Sequence, residues 1–292
     1  MPIHGRVRLF ATLALVAAWL PAPPAQAPDL RTVLERVGRY VEEYHREFSR
    51  LVCDERYTQE SREPRLGPTA GFEPLHTQRR RLVSEFALAR LEAGGGWLWQ
   101  GFRDVIEVDG RPVRTERNRL EALFSSSPAD LPARARAIAD ESARYNLGQY
   151  RTINVPTLAL EFLVPDFQAR QSYEQAGEES VSGVHTWRVA FEELSVPTVI
   201  RTPDGDDVPC NGIAWIDVAT GRVVRTLLEP RVNLEQKSKI IVTYAPDRRF
   251  GIWVPVTMEE SYETAARSVT GKATYSNCRR FETTARIKNE DQ

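Results

Sequence analysis

The 292-residue sequence contains few of the residues that usually carry metal or thiol chemistry. Its three cysteines are Cys53, Cys210 and Cys278, and only four histidines occur. Their spacing matches neither the Cys-x-x-Cys pairs nor the mixed cysteine and histidine patterns of zinc sites. We therefore predict no metal, no cofactor and no catalytic cysteine. Three cysteines allow one disulfide and one thiol, and the sequence does not choose among the three pairings.

The sequence also lacks the motifs of the common enzyme mechanisms, namely G-x-S-x-G, H-E-x-x-H, the P-loop and the kinase set. Neither acidic doublet, Glu192-Glu193 or Glu259-Glu260, supplies the two facing carboxylates of a glycosidase, because adjacent strand residues point to opposite faces. Glu260 alone is expected to face inward, while Glu259 belongs to a solvated stripe. We therefore expect a protein that is not an enzyme and has no catalytic residues.

Neither sign of charge is in excess. Lysine and arginine number 39 and the acids number 40, which gives a formal net charge of -1. Nucleic-acid-binding proteins usually present a strongly basic face. The one basic run, Arg79-Arg80-Arg81, flanks a predicted strand and discourages edge pairing. Nucleic acid is therefore not a predicted partner.

No apolar run is long enough to cross a bilayer as a helix. The run from Leu9 to Leu20 is about a dozen residues, against the roughly 20 that a span requires. It follows Arg6 and Arg8 and precedes Ala25-Gln-Ala27, the order of charged, apolar and cleavage regions in a secretory signal. We predict a signal peptide in residues 1–27, no transmembrane span, and a periplasmic or secreted protein in residues 28–292.

What the sequence does contain is a series of short runs rich in β-branched and aromatic residues. In the second half of the chain, turn residues separate these runs, which predicts an antiparallel meander. The runs are Gly212–Asp217, Arg222–Glu229, Lys239–Tyr244, Ile252–Glu259 and Lys272–Tyr275. Asp109-Gly110, Asp204-Gly205 and Thr220-Gly221 predict hairpin turns. With the earlier runs, the sequence predicts about ten or eleven strands.

Helices are predicted in two places. Apolar residues at three- and four-residue steps predict an N-terminal helix in residues 28–55, with Asp29 as its N-cap. Residues 58–78 are predicted as a loop, and residues 116–164 as a helical insertion whose apolar faces suit one side of a sheet. Together these elements predict a single α+β domain over residues 28–292.

Several segments carry a resemblance to known proteins. They are Ala214-Trp-Ile-Asp217, Thr220-Gly-Arg222, the strand Ile240–Tyr244, and Phe250-Gly-Ile-Trp-Val-Pro-Val-Thr-Met258. Their order of strands and turns resembles the LolA-like family of periplasmic lipoprotein-sorting carriers. The resemblance implies a curved antiparallel half-barrel with helices on its concave side. Two further segments, residues 103–113 and 141–146, resemble exported bacterial proteins with no assigned activity.

Three functions from different classes are consistent with this sequence. The first, implied by the resemblance, is binding or carrying an apolar ligand in a half-barrel cavity, with a lipid, an acyl chain or a lipoprotein as partner. Its candidate ligand-binding residues are Trp97, Trp99, Trp187, Trp215 and Trp253, although paired aromatic residues also form ordinary cores. The second is a cell-envelope interaction or sensory module that binds another protein and no small ligand. The third is a hydrolase with a dispersed site.

Overall fold

The computed structural model describes residues 28–64, 76–93, 96–114, 119–124, 130–202, 204–232 and 235–280. The predicted signal peptide lies outside these residues. Within them, none of the helices combines the length and the apolar character that crossing a membrane requires.

Helices and strands alternate unevenly along the described residues. The helices are α1 (Leu30–Phe48), α2 (Arg119–Phe124), α3 (Leu131–Ala143), α4 (Pro165–Gln168) and a 3₁₀ helix (Leu158–Leu163). The strands are β1 (Leu51–Glu63), β2 (His76–Ala93), β3 (Gly96–Val108), β4 (Arg111–Pro112), β5 (Gln171–Val181), β6 (Val184–Glu193), β7 (Ile200–Arg201), β8 (Asp207–Val208), β9 (Cys210–Asp217), β10 (Arg222–Pro230), β11 (Lys237–Asp247), β12 (Ile252–Glu263) and β13 (Ser268–Arg280).

Eleven of these strands form one antiparallel sheet. Its strand order is β4-β3-β2-β1-β13-β12-β11-β10-β9-β6-β5, and β7 and β8 form a separate two-stranded ribbon. The sheet therefore consists of two meanders that are joined where the first strand pairs with the last. It does not close on itself. The predicted fold class, an α+β half-barrel-like sheet of about ten or eleven strands, is confirmed.

One face of the sheet, which we call the inner face, is covered by α1. This helix begins after Asp29, whose carboxylate accepts a hydrogen bond from the backbone N–H of Thr32 at 2.8 Å, as the predicted N-cap. Its side chains at three- and four-residue steps are fully buried in the largest hydrophobic core; they include Val33, Val37, Val41, Tyr44 and Phe48. The amphipathic stripe in the sequence therefore docks on the sheet.

The end of α1 differs from the prediction. The helix ends at Phe48 and not near residue 55, and the chain is extended from Leu51 onward. The predicted loop over residues 58–78 is wrong at both ends, because β1 continues to Glu63 and β2 begins at His76. Along its whole length β1 pairs with β2 on one side and with β13 on the other. This tertiary pairing outweighs the local helical periodicity.

The opposite, outer face has a smaller hydrophobic core of its own at the β1–β3 end. There α2 and α3, which lie within the predicted helical insertion, bury Leu120 and Ile138 against Val52, Ala87 and Phe102. These three strand residues alternate with neighbours that point into the inner core, as the two-residue period of a strand requires. The sheet is thus covered by helices on both faces at this end.

The Asp109-Gly110 hairpin turn is confirmed between β3 and β4. Both residues have positive φ, 51° and 81°. Two consecutive positive φ values are typical of the type I′ turn that matches the twist of antiparallel strands, which is why an Asp-Gly pair predicts this connection.

A disulfide joins the first and last strands of the sheet. Cys53 in β1 is bonded to Cys278 in β13, and their Cα atoms are 3.9 Å apart. The register of the two strands shifts at this point, between Val52 and Asp54. Cys210 is a buried thiol without a disulfide, and burial raises its pKa well above the ordinary value. The structure thereby selects one of the three pairings that the sequence left open.

Candidate functional site

The inner face carries a buried group of polar side chains at the middle of the sheet, which we call the arginine–carboxylate network. Its strands β1, β3 and β12 contribute facing side chains, and the segment between α3 and the 3₁₀ helix covers them. Its members are Glu55, Tyr57, Gln59, Arg103, Arg151, Asn154, Glu260 and Tyr262.

The first half of the network is a bidentate ion pair. Arg103 donates to both carboxylate oxygens of Glu55, and also to the carbonyl oxygen of Asn154 at 2.9 Å. The guanidinium carbon lies 4.5 Å from the centroid of the Tyr57 ring, in cation–π range. Burial alone would lower the pKa of Arg103, but the adjacent Glu55 carboxylate raises it above the ordinary value.

The second half is the pair Arg151–Glu260, whose closest atoms are 2.9 Å apart. Tyr262 donates to the other carboxylate oxygen of Glu260 at 3.0 Å, and Tyr57 also donates to Glu260. A Cβ atom at Gly271 would lie 2.7 Å from Glu260, so glycine is the residue that leaves room for this carboxylate. The prediction that Glu260 faces inward is confirmed, because the residue is 4% exposed.

The network balances its own charge. Two arginines face two glutamates, and each carboxylate accepts several hydrogen bonds, which is the condition for burying ion pairs without a large desolvation penalty. Groups that are this well paired are poorly suited to acid–base chemistry, since neither charge is available to a substrate. We interpret the network as the structural centre of the sheet.

A different arrangement occurs where α1 meets the 3₁₀ helix. His45 and Glu161 are 0% and 2% exposed, and the Nε2–Oε1 distance between them is 3.2 Å. They border a cavity of about 170 Å³, which we call the His45 pocket. The Trp99 ring forms one wall, with its centroid 5.2 Å from that of the imidazole. The other lining residues are Glu42, Arg46, Arg90, Val164, Pro165, Asp166 and Phe167.

Burial shifts the pKa of both groups of this pair in the direction that favours the uncharged form. Burial lowers the pKa of His45 to about 3. Burial also raises the pKa of Glu161 to about 8, although the backbone N–H of Trp99 opposes the shift by donating to the carboxylate. In contrast to the arginine–carboxylate network, the His45 pocket thus favours a protonated acid beside a neutral base.

The polar atoms of the pair are also poorly satisfied. His45 Nδ1 and Nε2 and Glu161 Oε1 are buried without a hydrogen-bond partner among the described residues. The Nε2–Oε1 contact lies within hydrogen-bond distance but is not aligned as one. A buried polar atom without a partner costs about 1–3 kcal/mol. Buried, unsatisfied titratable groups beside a cavity are the usual mark of a functional site.

The pKa of Glu161 predicts a pH-dependent stability. Its folded-state pKa is raised, so the stability that the protonated acid contributes below pH 4.5 is lost as the pH rises toward 8. Glutamine mimics the protonated acid and does not titrate. We expect the free energy of unfolding of Glu161→Gln, measured by urea denaturation, to rise relative to that of the unmodified protein between pH 5 and pH 8, by about 3–4 kcal/mol.

A matched control for this prediction is the surface pair Glu178–His185. Its closest atoms are 3.3 Å apart and its side chains are 51% and 70% exposed. Exposed pairs contribute little to stability. The free energy of unfolding of Glu178→Gln, relative to that of the unmodified protein, should therefore change by less than about 0.5 kcal/mol between pH 5 and pH 8. Parallel pH profiles for the unmodified protein and Glu161→Gln would show that Glu161 titrates normally, and would contradict the prediction.

The rim of the sheet contains a larger opening, which we call the rim cleft. It has a volume of about 590 Å³ and lies between the turn joining β12 to β13 and the segment around Arg151. Its surface is mostly apolar. The lining residues are Glu63, Pro64, Gln149, Arg151, Gln236, Tyr262, Thr264, Ala265, Ala266, Arg267 and Val269. Arg267 is paired with Glu63 at 2.5 Å, and Arg151 with Glu260, so the charges of the cleft are balanced.

The outer face of β1, β11, β12 and β13 has a shallow depression of about 660 Å³. Charged and hydroxyl side chains line it, and Lys272 and Glu259 form an exposed ion pair across it at 2.6 Å. Because this depression is more open to solvent than the rim cleft, it is less suited to enclosing an apolar ligand.

Four of the five tryptophans predicted to bind a ligand have described side chains, and these four do not line one common cavity. Trp187 lies in the inner core, whereas Trp215 belongs to a small cluster on the outer face with Val181 and Val224. Trp99 borders the His45 pocket. Trp253 packs against Arg222, whose guanidinium carbon lies 5.0 Å from the centroid of the indole ring. The side chain of Trp97 lies outside the described residues. A ligand-binding role for these residues stays a prediction.

Sequence reasoning did not single out His45 and Glu161. His45 follows Val41 by four residues and therefore lies on the apolar stripe of α1. Glu161 is the one acid in the apolar run Leu158–Leu163. Each is a polar residue at a position whose neighbours are apolar, and that signal could have identified both. Among the described residues, no group of three or more histidine, cysteine and acidic side chains is arranged to hold a metal ion.

Fold and sites together define a half-barrel protein with a charge-balanced centre, a small buried polar pocket and an apolar cleft at the rim. No protein-family model matches the sequence, and no curated protein matches it significantly. Among solved structures, the chain is similar to a DUF1329 family protein from Desulfovibrio piger, with 12% identity, a TM-score of 0.37 and coverage of 86% of this chain and 92% of that one.

Two further similarities have the same low identity. A domain from Vibrio parahaemolyticus named for outer membrane lipoprotein sorting has 12% identity, a TM-score of 0.37 and coverage of 88% of this chain and 96% of that one. The complex of MucA and MucB from Pseudomonas aeruginosa gives 12% identity, a TM-score of 0.20 and coverage of 84% and 99%. All three TM-scores are below 0.5.

Proposed function

We propose that this protein is an exported, periplasmic or secreted, binding protein that carries an acyl chain or a similar apolar ligand, and that the ligand lies in the rim cleft. The observation that carries the proposal is the cleft itself. Its volume of about 590 Å³ falls in the range of roughly 300–1,000 Å³ that is typical of ligand sites. Its walls are apolar over most of their area, and its charges are already paired.

The packing of the inner face favours the rim over the interior of the half-barrel. Val37, Val41 and Phe48 of α1 are completely buried against the sheet. An acyl chain on the inner face would have to displace this helix and the hydrophobic contacts that it makes. A ligand at the rim displaces only water.

The free energy gained by burying an acyl chain in the rim cleft is compatible with reversible binding. Each buried methylene contributes about 0.8 kcal/mol, so six methylenes contribute about 5 kcal/mol before the cost of association is subtracted. Because association itself costs at least about 4 kcal/mol, the net affinity for a chain of this length is weak. It suits a protein that must release its ligand.

The proposal predicts that filling the cleft prevents binding. Ala266 lies in the turn between β12 and β13 and lines the cleft, so tryptophan at this position would occupy the volume that an acyl chain needs. We expect the exported protein to bind dodecanoic acid in native mass spectrometry, and Ala266→Trp to weaken this binding at least tenfold. Solvent extraction of the purified protein should also release co-purified acyl species.

The matched control is Ala219→Trp, which makes the same change in the exposed turn between β9 and β10 and lies outside the cleft. Equal affinity of the two variants for dodecanoic acid would exclude the rim cleft as the site. Absence of any dodecanoate complex, together with a clean extract, would overturn the carrier function itself.

A protein partner in the cell envelope is the second candidate. The observation that favours it is the loop after β6, where Leu194 and Val196 are 66% and 73% exposed. Exposed apolar side chains that lie close together are a frequent mark of interaction surfaces. If the native protein carries no acyl species, this loop is the first surface at which to look for a protein partner.

A further inference from the structure

The His45 pocket shares no lining residue with the rim cleft, and the proposed function does not use it. It brings together a buried carboxyl group, a buried imidazole and an indole ring around a volume of about 170 Å³. We propose that this pocket binds the ammonium group of a small organic amine, with Glu161 as its counterion, His45 as a second acceptor and Trp99 as an aromatic wall.

The geometry provides each contact that an ammonium group requires. Glu161 Oε1 and the unprotonated nitrogen of His45 are buried beside the pocket without partners among the described residues, so the three donors of an ammonium nitrogen would reach them after a small movement of the pocket wall. The face of an indole ring stabilises a cation within about 6 Å. The volume of about 170 Å³ corresponds to about six water molecules at about 30 Å³ each, which is sufficient for a short alkylamine.

The ionisation behaviour of the pair decides the sign of the ligand. A cation requires Glu161 to ionise, and a pKa of about 8 makes this roughly tenfold unfavourable at pH 7. An anion would require His45 to become protonated, and a pKa of about 3 makes this roughly ten-thousandfold unfavourable. The pocket therefore favours a cation over an anion.

Other charges near the pocket do not reverse this preference. Two acids, Glu42 and Asp166, and two bases, Arg46 and Arg90, lie among its lining residues, so their charges cancel. Arg46 is also engaged with Glu43 at 2.5 Å on the surface of α1. The buried pair, which is shielded from solvent, consequently determines which ligand the pocket accepts.

The test compares three molecules of similar shape: n-propylammonium, n-propanol and propionate. We expect calorimetric titration at pH 6.5, repeated in two buffers of different ionisation enthalpy, to show saturable binding of n-propylammonium with release of close to one proton from Glu161. Propionate should bind at least a hundredfold more weakly, and propanol at least tenfold more weakly.

Two further measurements make the test specific. Glu161→Gln should abolish both the binding and the proton release, whereas Glu178→Gln at the exposed histidine pair should change neither. In the unmodified protein, the affinity should rise about tenfold per pH unit below the pKa of Glu161 and level off above it, since an alkylamine stays charged up to a pKa of about 10. This pH profile needs no variant and stands even if Glu161→Gln fails to fold.

The results that overturn the proposal are equally definite. Absence of saturable binding would leave the pocket as a site for water. Equal binding of propanol, an unchanged affinity in Glu161→Gln or a pH-independent affinity would exclude Glu161 as the counterion. None of these outcomes affects dodecanoate binding in the rim cleft, so the two sites succeed or fail separately.

Discussion

Replacement of Glu260 by alanine is expected to destabilise the protein by about 3–5 kcal/mol, the usual effect of removing one partner of a buried ion pair. Arg151, whose side chain is 3% exposed, would then be a buried cation without its counterion. Tyr57 and Tyr262 would lose the acceptor that they share. The measurement is the midpoint and slope of the urea denaturation curve, monitored by tyrosine and tryptophan fluorescence.

The adjacent residue offers a matched control. Glu259 points to the outer face and pairs with Lys272 at 2.6 Å, but both side chains are more than half exposed. Exposed pairs contribute about 1 kcal/mol or less, so Glu259→Ala should be nearly neutral. A loss of similar size in both variants would mean that the strand, and not the buried charge, is responsible, and would contradict the assignment of the network as the structural centre.

Replacement of both Cys53 and Cys278 by alanine is expected to lower the free energy of unfolding by about 2–5 kcal/mol. The two cysteines are separated by 225 residues in the sequence. A bond that closes so long a loop removes much of the conformational freedom of the unfolded chain, and loop entropy alone gives about 5 kcal/mol. Urea denaturation of the oxidised protein and of the double variant measures the difference.

Reduction provides the control for this second variant. The unmodified protein should fall to the stability of the double variant when a reductant is added, whereas the double variant should not respond. Thiol titration of the denatured, unreduced protein should find one reactive thiol, that of Cys210. A count of three thiols would show that the disulfide is not formed, and the stability difference would need another cause.

The strands were predictable from the sequence because their signals are local. Runs of β-branched residues separated by Asp-Gly and Thr-Gly turns correspond to β9–β12 and to the β3–β4 hairpin. The junction between α1 and β1 was not predictable in this way. Leu51 and Val52 satisfy a helical stripe and a strand equally well, and only pairing with the distant β13 decides between the two.

The candidate sites were predictable only in part, for a related reason. The alternation of β12 was sufficient to point Glu260 inward. Its partner Arg151 lies in an irregular segment that has no periodicity from which orientation could be inferred. His45 and Glu161 belong to two elements that are far apart in the sequence, and their contact depends on how α1 and the 3₁₀ helix dock on the sheet.

The pairing of β1 with β13 constrains the order in which the protein can fold. Each meander, β1–β4 and β5–β13, consists mainly of neighbours in sequence and can form early. The pair that joins them consists of the first and the last strand of the sheet, so the sheet is complete only when β1 has met β13, more than 200 residues along the chain. Contacts of such long range are slow to form. Until β1 pairs with β13, each meander has an unpaired strand edge at which it can aggregate. A chain truncated before residue 268 lacks β13 and would keep such edges permanently.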